Sequence, residues 1–458
     1  MHDFTRATDP VSKPAAPDAQ RASQGLSARW TQARAEQQLH SLELFGMRFG
    51  LDRMRRMMTA LGSPERRFEA IHVLGTNGKS STTRMTAAIL ERHGLRTGAY
   101  LSPHLVSYRE RVLVNGRELD TCAFAAAVAR ASAAAERVNR TLAEDDHVTQ
   151  FELLTAAALW QMAEQEVEVA VVEAGLGGRY DATSVIDSRI TVLTNVGLEH
   201  TRWLGPTVAD IAEEKLAVVA PRGTLVLGGG LVAPAEAVAE RIARERDASI
   251  VRPRAMDPAM GLRARGEFQR RNFALARATA ELYLGLAGIA IREDAVAAAA
   301  AGTFVPGRMQ LLEDDPPTIL DGAHNPDAVL ALAESLPALL AGRPLALVLG
   351  VLEDKDAAGM LATLLALCER AWFTAPPGSR ALSPAALQSR ARQLGFDATS
   401  CEPRPSRALA QARDWAREHS GAVLATGSVY LVGELLGELD ASQAAAAAPQ
   451  RRLRSSAQ

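Results

Sequence analysis

Residues 68–94 read FEAIHVLGTNGKSSTTRMTAAILERHG, and this stretch decides the fold. FEAIHVLG is a short apolar run closing on a glycine, the pattern of a buried strand. TTRMTAAILERHGL has helical periodicity, and His93-Gly94 closes it. Between the two lies Gly75-Thr76-Asn77-Gly78-Lys79-Ser80-Ser81. Glycines allow a tight turn whose N–H groups point at one spot. The following helix adds the partial positive charge of its N-terminus. Lys79 supplies a mobile full charge for phosphates, and a hydroxyl at Ser80 or Ser81 can face a magnesium ion. The loop is shorter than Gly-x-x-x-x-Gly-Lys-Ser/Thr, because Val73 stands five before Gly78. The bland alternative is an ordinary strand-to-helix turn with a surface lysine; the strand-before, helix-after setting favours a phosphate cradle.

The alternation continues downstream. Segments 96–105 (RTGAYLSPHL), 167–178 (VEVAVVEAGLGG), 188–200 (SRITVLTNVGLEH) and 224–229 (TLVLGG) read as strands. Segments 124–142, 151–166 and 209–220 read as helices. Strands that are apolar throughout and alternate with helices predict an α/β fold, a mostly parallel sheet covered on both faces. In such sheets ligands bind beyond the carboxyl ends of the strands. Ser102-Pro103-His104, Glu173 with its glycine turn, and Asn195–His200 all fall at such ends, beside the phosphate loop. Glu173 follows a buried valine run, where an unpaired carboxylate is costly. Magnesium would relieve that cost, and it prefers oxygen ligands such as Ser102 and Glu173. Alone, Glu173 reads equally as a cap or ion-pair residue, and His200 as a satisfied core histidine. Gly175-Leu176-Gly177-Gly178 imitates a dinucleotide fingerprint, but Tyr180 stands where that motif needs Gly or Ala. Lys215, beside Glu213 and Glu214, reads from its surroundings as a solvated helix lysine.

A second alternation follows Pro306. Segments 317–324, 343–352, 370–377 and 421–428 read as strands, and 327–341, 357–371, 383–395 and 407–419 as helices. The expected organisation is a disordered extension at 1–40, an ATP-binding domain at 41–303, a smaller Rossmann-like domain at 304–440 and a loose tail at 441–458. A net charge of −2 over 458 residues gives no global field for nucleic acid. No run of about 18 apolar residues exists to span a membrane, and residues 1–40 contain no signal-peptide core. Cys122, Cys368 and Cys401 share no metal spacing and fit a reducing cytoplasm.

In order, GTNGKSS, YLSPHL, EAGLGGRYDATS, LEHT with EEK, and DGAHNP resemble the folylpolyglutamate synthase/dihydrofolate synthase family of the Mur ligase superfamily. The resemblance covers roughly residues 42–436. It implies a P-loop ATPase domain and a smaller Rossmann-like domain with ATP between them. It implies that Thr76, Asn77, Gly78, Lys79 and Ser80 hold phosphates, and that Asn272, Arg308, Asp321 and His324 complete the ATP site. Ser102, Glu173 and His200 match the family's magnesium ligands. Lys215 matches a lysine carbamylated there, which reverses its solvated reading. Phe49, Gly50, Leu51, Thr149, Gln150, Phe151, Glu152, Tyr180, Asp181 and Ala182 match the pterin site. Three departures stand out: Phe268 where the family has histidine, Glu199 where it has aspartate, and Ser80 where it has glycine.

The implied reaction joins L-glutamate to dihydropteroate, or to the γ-carboxyl of tetrahydrofolates, through an acyl phosphate. ATP is co-substrate, two magnesium ions and a potassium ion are cofactors, and Lys79, His200 and Lys215 are the catalytic set. The expected state is a cytoplasmic monomer with small-molecule partners only. The rivals are a cell-wall Mur ligase acting on a UDP-sugar peptide and a regulatory ATPase. The first needs an N-terminal UDP-binding domain, and only about 65 residues precede the first strand. For the second, hydrolysis indifferent to dihydropteroate and glutamate would be the mark.

Overall fold

The computed structural model describes residues 30–42, 50–312, 315–439 and 441. The first lobe is built on β1 (Glu69–Leu74), β2 (Thr97–Tyr100), β3 (Val112–Val114), β4 (Arg117–Glu118), β5 (Val169–Glu173), β6 (Ser188–Leu193), β7 (Thr224–Leu227) and β8 (Ser249–Val251). They form one sheet in the order β4-β3-β2-β5-β1-β6-β7-β8. The six strands from β2 to β8 pair in parallel, and β3 and β4 add an antiparallel edge. The apolar residues of β1, β5 and β6 are buried, as strands covered on both faces must be. One face packs on helices Asp52–Leu61, Thr121–Asn139 and Gln150–Glu164. The other packs on Lys79–Arg92, Glu267–Leu286 and Glu293–Gly302.

The second lobe carries β9 (Gln310–Leu312), β10 (Thr318–Leu320), β11 (Leu345–Leu349), β12 (Arg370–Phe373), β13 (Thr399–Cys401) and β14 (Ala422–Thr426). Their order is β13-β12-β11-β14-β10-β9, parallel except for β9. Helix Pro326–Leu340 faces the first lobe and touches helix Glu267–Leu286.

The N-terminal expectation needs correction. Residues 1–29 lie outside the described chain, but Gln32–His40 is a helix, not a disordered segment. Thr31 caps it, and Ala35 and Leu39 are fully buried four residues apart. That two-residue apolar stripe is hidden inside a polar composition. Of the expected tail, only residue 441 is described.

A buried ion pair ties the helical face together. Arg53 Nε donates to Glu152 Oε1 at 3.0 Å, and each side chain is 7% exposed. Arg53 also bonds Asp146 at 2.9 Å. Removing Glu152 leaves the buried Arg53 charge with Asp146 but without its buried partner, so Glu152→Ala should destabilise the fold by about 1–3 kcal/mol. Denaturant titration checks this; a loss below about 1 kcal/mol, the size of an exposed pair, would contradict it.

Candidate active site

Strand register builds the site. Val73 of β1 pairs with Glu173 of β5, and Leu74 pairs with Leu193 of β6. Tyr100 of β2 pairs with Val172. The carboxyl ends of four strands therefore lie side by side, and the loop after β1 sits between Glu173 and Thr194. Gly78 caps helix Lys79–Arg92 with φ of 82°. A side chain there would be strained, and its Cβ would stand 2.5 Å from Asn272 Oδ1.

The loop is held from β6. Asn77 N–H donates to Asn195 Oδ1 at 2.8 Å, Thr194 Oγ1 donates to Asn77 O at 2.6 Å, and Gly197 N–H donates to Thr76 Oγ1 at 3.0 Å. Lys79 Nζ folds back on Thr76 O at 3.0 Å. From behind, Lys215 Nζ donates to Gly75 O at 3.0 Å. Lys215 is 4% exposed, which overturns the solvated reading of its neighbourhood. Burial, followed by the nearby charge of Lys79, pushes its ammonium down to about 7.

Glu173 is buried, and among the described residues it has no ion-pair partner. Oε1 accepts from Ser80 Oγ at 2.9 Å and Oε2 from Ser102 N–H at 3.1 Å. Burial raises its pKa, with Lys79 and these donors opposing. Among the described residues, no three His, Cys, Asp or Glu side chains group as a metal site. The donor set offered to a cation is mixed: the Glu173 carboxylate, the Ser102 hydroxyl and the His200 imidazole, all on one cavity. A buried carboxylate with no direct ion-pair partner among the described residues fits a hard divalent cation. The His200 side chain is 37% exposed at the cavity mouth, and the partial desolvation of its ring lowers its pKa to about 4, so the ring is neutral and offers a lone pair.

That cavity, of about 660 Å³, lies between the lobes. It gathers Thr76, Asn77, Gly78, Lys79, Ser80, Ser102, Glu173, His200 and Asn272 from the first lobe with Arg308, Asp321 and His324 from the second. Asp321 is buried and accepts from Met309 N–H at 2.8 Å and Ala323 N–H at 2.7 Å. His324 Nδ1 lies 2.8 Å from Gly322 O.

The remaining candidates lie outside the lining. Thr149 caps helix Gln150–Glu164 in a capping box with Glu152, Gln150 donates to Leu39 O at 2.8 Å, and Asp181 accepts from Leu176 N–H at 2.7 Å. Phe151 packs against Gly175, which lines the cavity. Leu51 precedes helix Asp52–Leu61, with Gly50 before it, and Phe49 falls outside the described residues. Tyr180 is exposed and Ala182 buried. Sequence reasoning passed over Lys355 and gave Asn325 no role. Asn325 and Asn77 exchange amide hydrogen bonds at 3.0 and 3.2 Å between lobes. Lys355 Nζ donates to Glu199 at 2.8 Å. The readable signal for Lys355 was the polar run Asp354-Lys355-Asp356 after an apolar strand.

Residues 73–227 match the Mur ligase middle domain, and residues 307–429 the Mur ligase glutamate ligase domain. The chain is 35% identical to folylpolyglutamate synthase of Lacticaseibacillus casei, over 73% of this chain and 84% of that protein. The chain belongs to the folylpolyglutamate synthase/dihydrofolate synthase family. Another relative in this family of ATP-dependent ligases is the dihydrofolate synthase/folylpolyglutamate synthase of Bacillus subtilis, 30% identical over 87% of this chain and 96% of that one. Mycobacterium tuberculosis folylpolyglutamate synthase complexed with ADP superposes with a TM-score of 0.82 at 30% identity, covering 88% of this chain and 97% of that one. Escherichia coli FolC in complex with DHPP and ADP gives 0.78 at 30% identity, over 91% and 99%. No described helix is long and apolar enough to cross a membrane.

Proposed function

We propose that this ligase adds L-glutamate to dihydropteroate and to the γ-carboxyl of tetrahydrofolates, using ATP. The observation that carries this reading is the interlobe cavity, where the loop lysine Lys79 and the buried Glu173 face Arg308, Asp321 and His324. Thr76, Asn77, Gly78 and Ser80 cradle the phosphates, and Asn272, Asp321 and His324 hold the nucleotide. Ser102, Glu173 and His200 would hold one of two magnesium ions, which would neutralise phosphate charge. Phe151 and the neighbouring pterin candidates place the second substrate beside Gly175.

The pteroate or folate carboxylate attacks the γ-phosphorus in line, the bond to the bridging oxygen breaks, and ADP leaves. Lys79 and Arg308 neutralise charge on the transferred group. The glutamate amine then attacks the acyl phosphate carbon, loses a proton, and expels inorganic phosphate to leave an amide. The second lobe over the loop excludes water while the acyl phosphate exists. We place the reaction in the cytoplasm, in a monomer. The test is a panel of dihydropteroate, tetrahydrofolate and a methylene form, each with ATP and glutamate and products read by mass. ADP release indifferent to both partner substrates would replace the ligase reading with a regulatory ATPase.

Lys215 becomes a carbamate in this reading. Its neutral amine adds carbon dioxide and releases a proton, giving a carboxylate behind Gly75. A pKa near 7 leaves ample neutral amine at neutrality. Lys215→Ala should therefore lose most activity, short carboxylates should restore part of it, and bicarbonate-free acidic buffer should depress only the parent protein. Full activity in Lys215→Ala would end the carbamate assignment.

A further inference from the structure

Glu199 belongs to the first lobe, immediately before His200, yet its side chain is committed to the second. Oε1 accepts from Lys355 Nζ at 2.8 Å and lies 3.2 Å from His324 Nε2. His200 Nε2 stands 3.8 Å from the same oxygen. The side chains of Glu199 and Lys355 are 11% and 10% exposed, so water does not screen this contact as it does a surface pair. Lys355 has a second carboxylate, Asp354, at 3.6 Å, but that group is 45% exposed. Leu105 and Phe268 of the first lobe also pack against apolar cores of the second, and Glu267 N–H donates to Ser335 Oγ at 3.2 Å; the remaining polar contacts between the lobes are weaker in kind. Asn77 and Asn325 form a neutral amide pair, and Arg271–Glu334 is an exposed ion pair at 3.9 Å.

We propose that Glu199 is a positioning residue: its carboxylate, clasped by Lys355 and His324, latches the second lobe over the phosphate loop and aligns His200 in the same movement. The proposal rests on the ligase reading above. Two consecutive residues divide the work. Glu199 reaches across to the second lobe, while His200 faces the cavity. His200 takes a left-handed backbone, φ 53°, which fixes the turn between them. Closure and the placement of His200 are thus a single event, and an acyl phosphate formed under the latch is shielded from water. An open lobe would let water take the acyl phosphate, consuming ATP without forming amide.

The readout is ADP released per amide formed, in the full chain with dihydropteroate, ATP and glutamate. Wild type should stay near one. Glu199→Ala and Lys355→Met should each raise the ratio about fivefold or more, the lower end of ordinary coupling between sites. The double variant should add little to either single one. Glu199→Asp should recover coupling, because the lysine stem can follow a shorter carboxylate. With a non-hydrolysable ATP analogue, X-ray scattering should give a larger radius of gyration for Glu199→Ala than for wild type. A ratio near one in both single variants, with scattering unchanged, would overturn the latch. If wild type forms no amide from any pteroate, the ligase reading fails instead, and scattering still decides whether Glu199 holds the lobes.

Discussion

Lys79→Ala should lose ligation by about a thousandfold while the protein stays folded. The side chain's only bond among the described residues is to Thr76 O, within its own loop. Removing it costs the fold about 1 kcal/mol or less. In the reaction the same ammonium is a mobile positive charge on a cavity that also contains Glu173. The loss should fall on the chemical step, because charge on the transferred phosphoryl group is greatest between ATP and the acyl phosphate. Amide yield by mass and a thermal melt, side by side, check this. Near-normal turnover with an unchanged melting temperature would remove Lys79 from the chemistry and the loop from phosphate binding.

Glu173→Gln should be nearly as damaging to ligation, with the opposite signature in stability. Burial raises the Glu173 pKa above its unfolded value. A carboxyl raised in this way favours folding when protonated, and that contribution fades as pH rises through the raised value. Above that window the ionised group opposes folding. The glutamine keeps its shape and an acceptor for Ser102 N–H without the charge, so in EDTA at pH 7.5 it should melt at the same temperature or higher. Added magnesium should raise the wild-type melt by linkage and leave the variant unmoved. Equal magnesium responses in the two proteins would exclude Glu173 from the metal site.

The sheet around the loop was legible because its strands are apolar on both faces and end in polar turns. Residues 68–94 alone carry the strand, the cradle and the helix in reading order. The second lobe was legible for the same reason, through segments such as 343–352. Other features were hidden for physical causes. The β3–β4 hairpin was missed although Asn115-Gly116 is a strong turn signal, because its flanking strands are only three and two residues long. Helix Gln32–His40 depends on two buried residues, too few to stand out. The interlobe partners could not be read, because Glu199 and Lys355 lie 156 positions apart and meet only after two domains dock. Lys215 shows the limit most plainly. Two glutamates precede it and an apolar run follows, and only tertiary packing puts its amine behind the phosphate loop.

Two helices begin at the cavity from opposite lobes: Lys79–Arg92, and Pro326–Leu340, whose Asn325 cap touches Asn77. Their dipoles converge on whatever anion lies between them. A spent nucleotide is therefore gripped from two sides by attractions that outlast the chemistry. Escape requires the lobes to part, so salt that weakens the grip should speed release of the nucleotide, measurable as a faster off-rate of ADP.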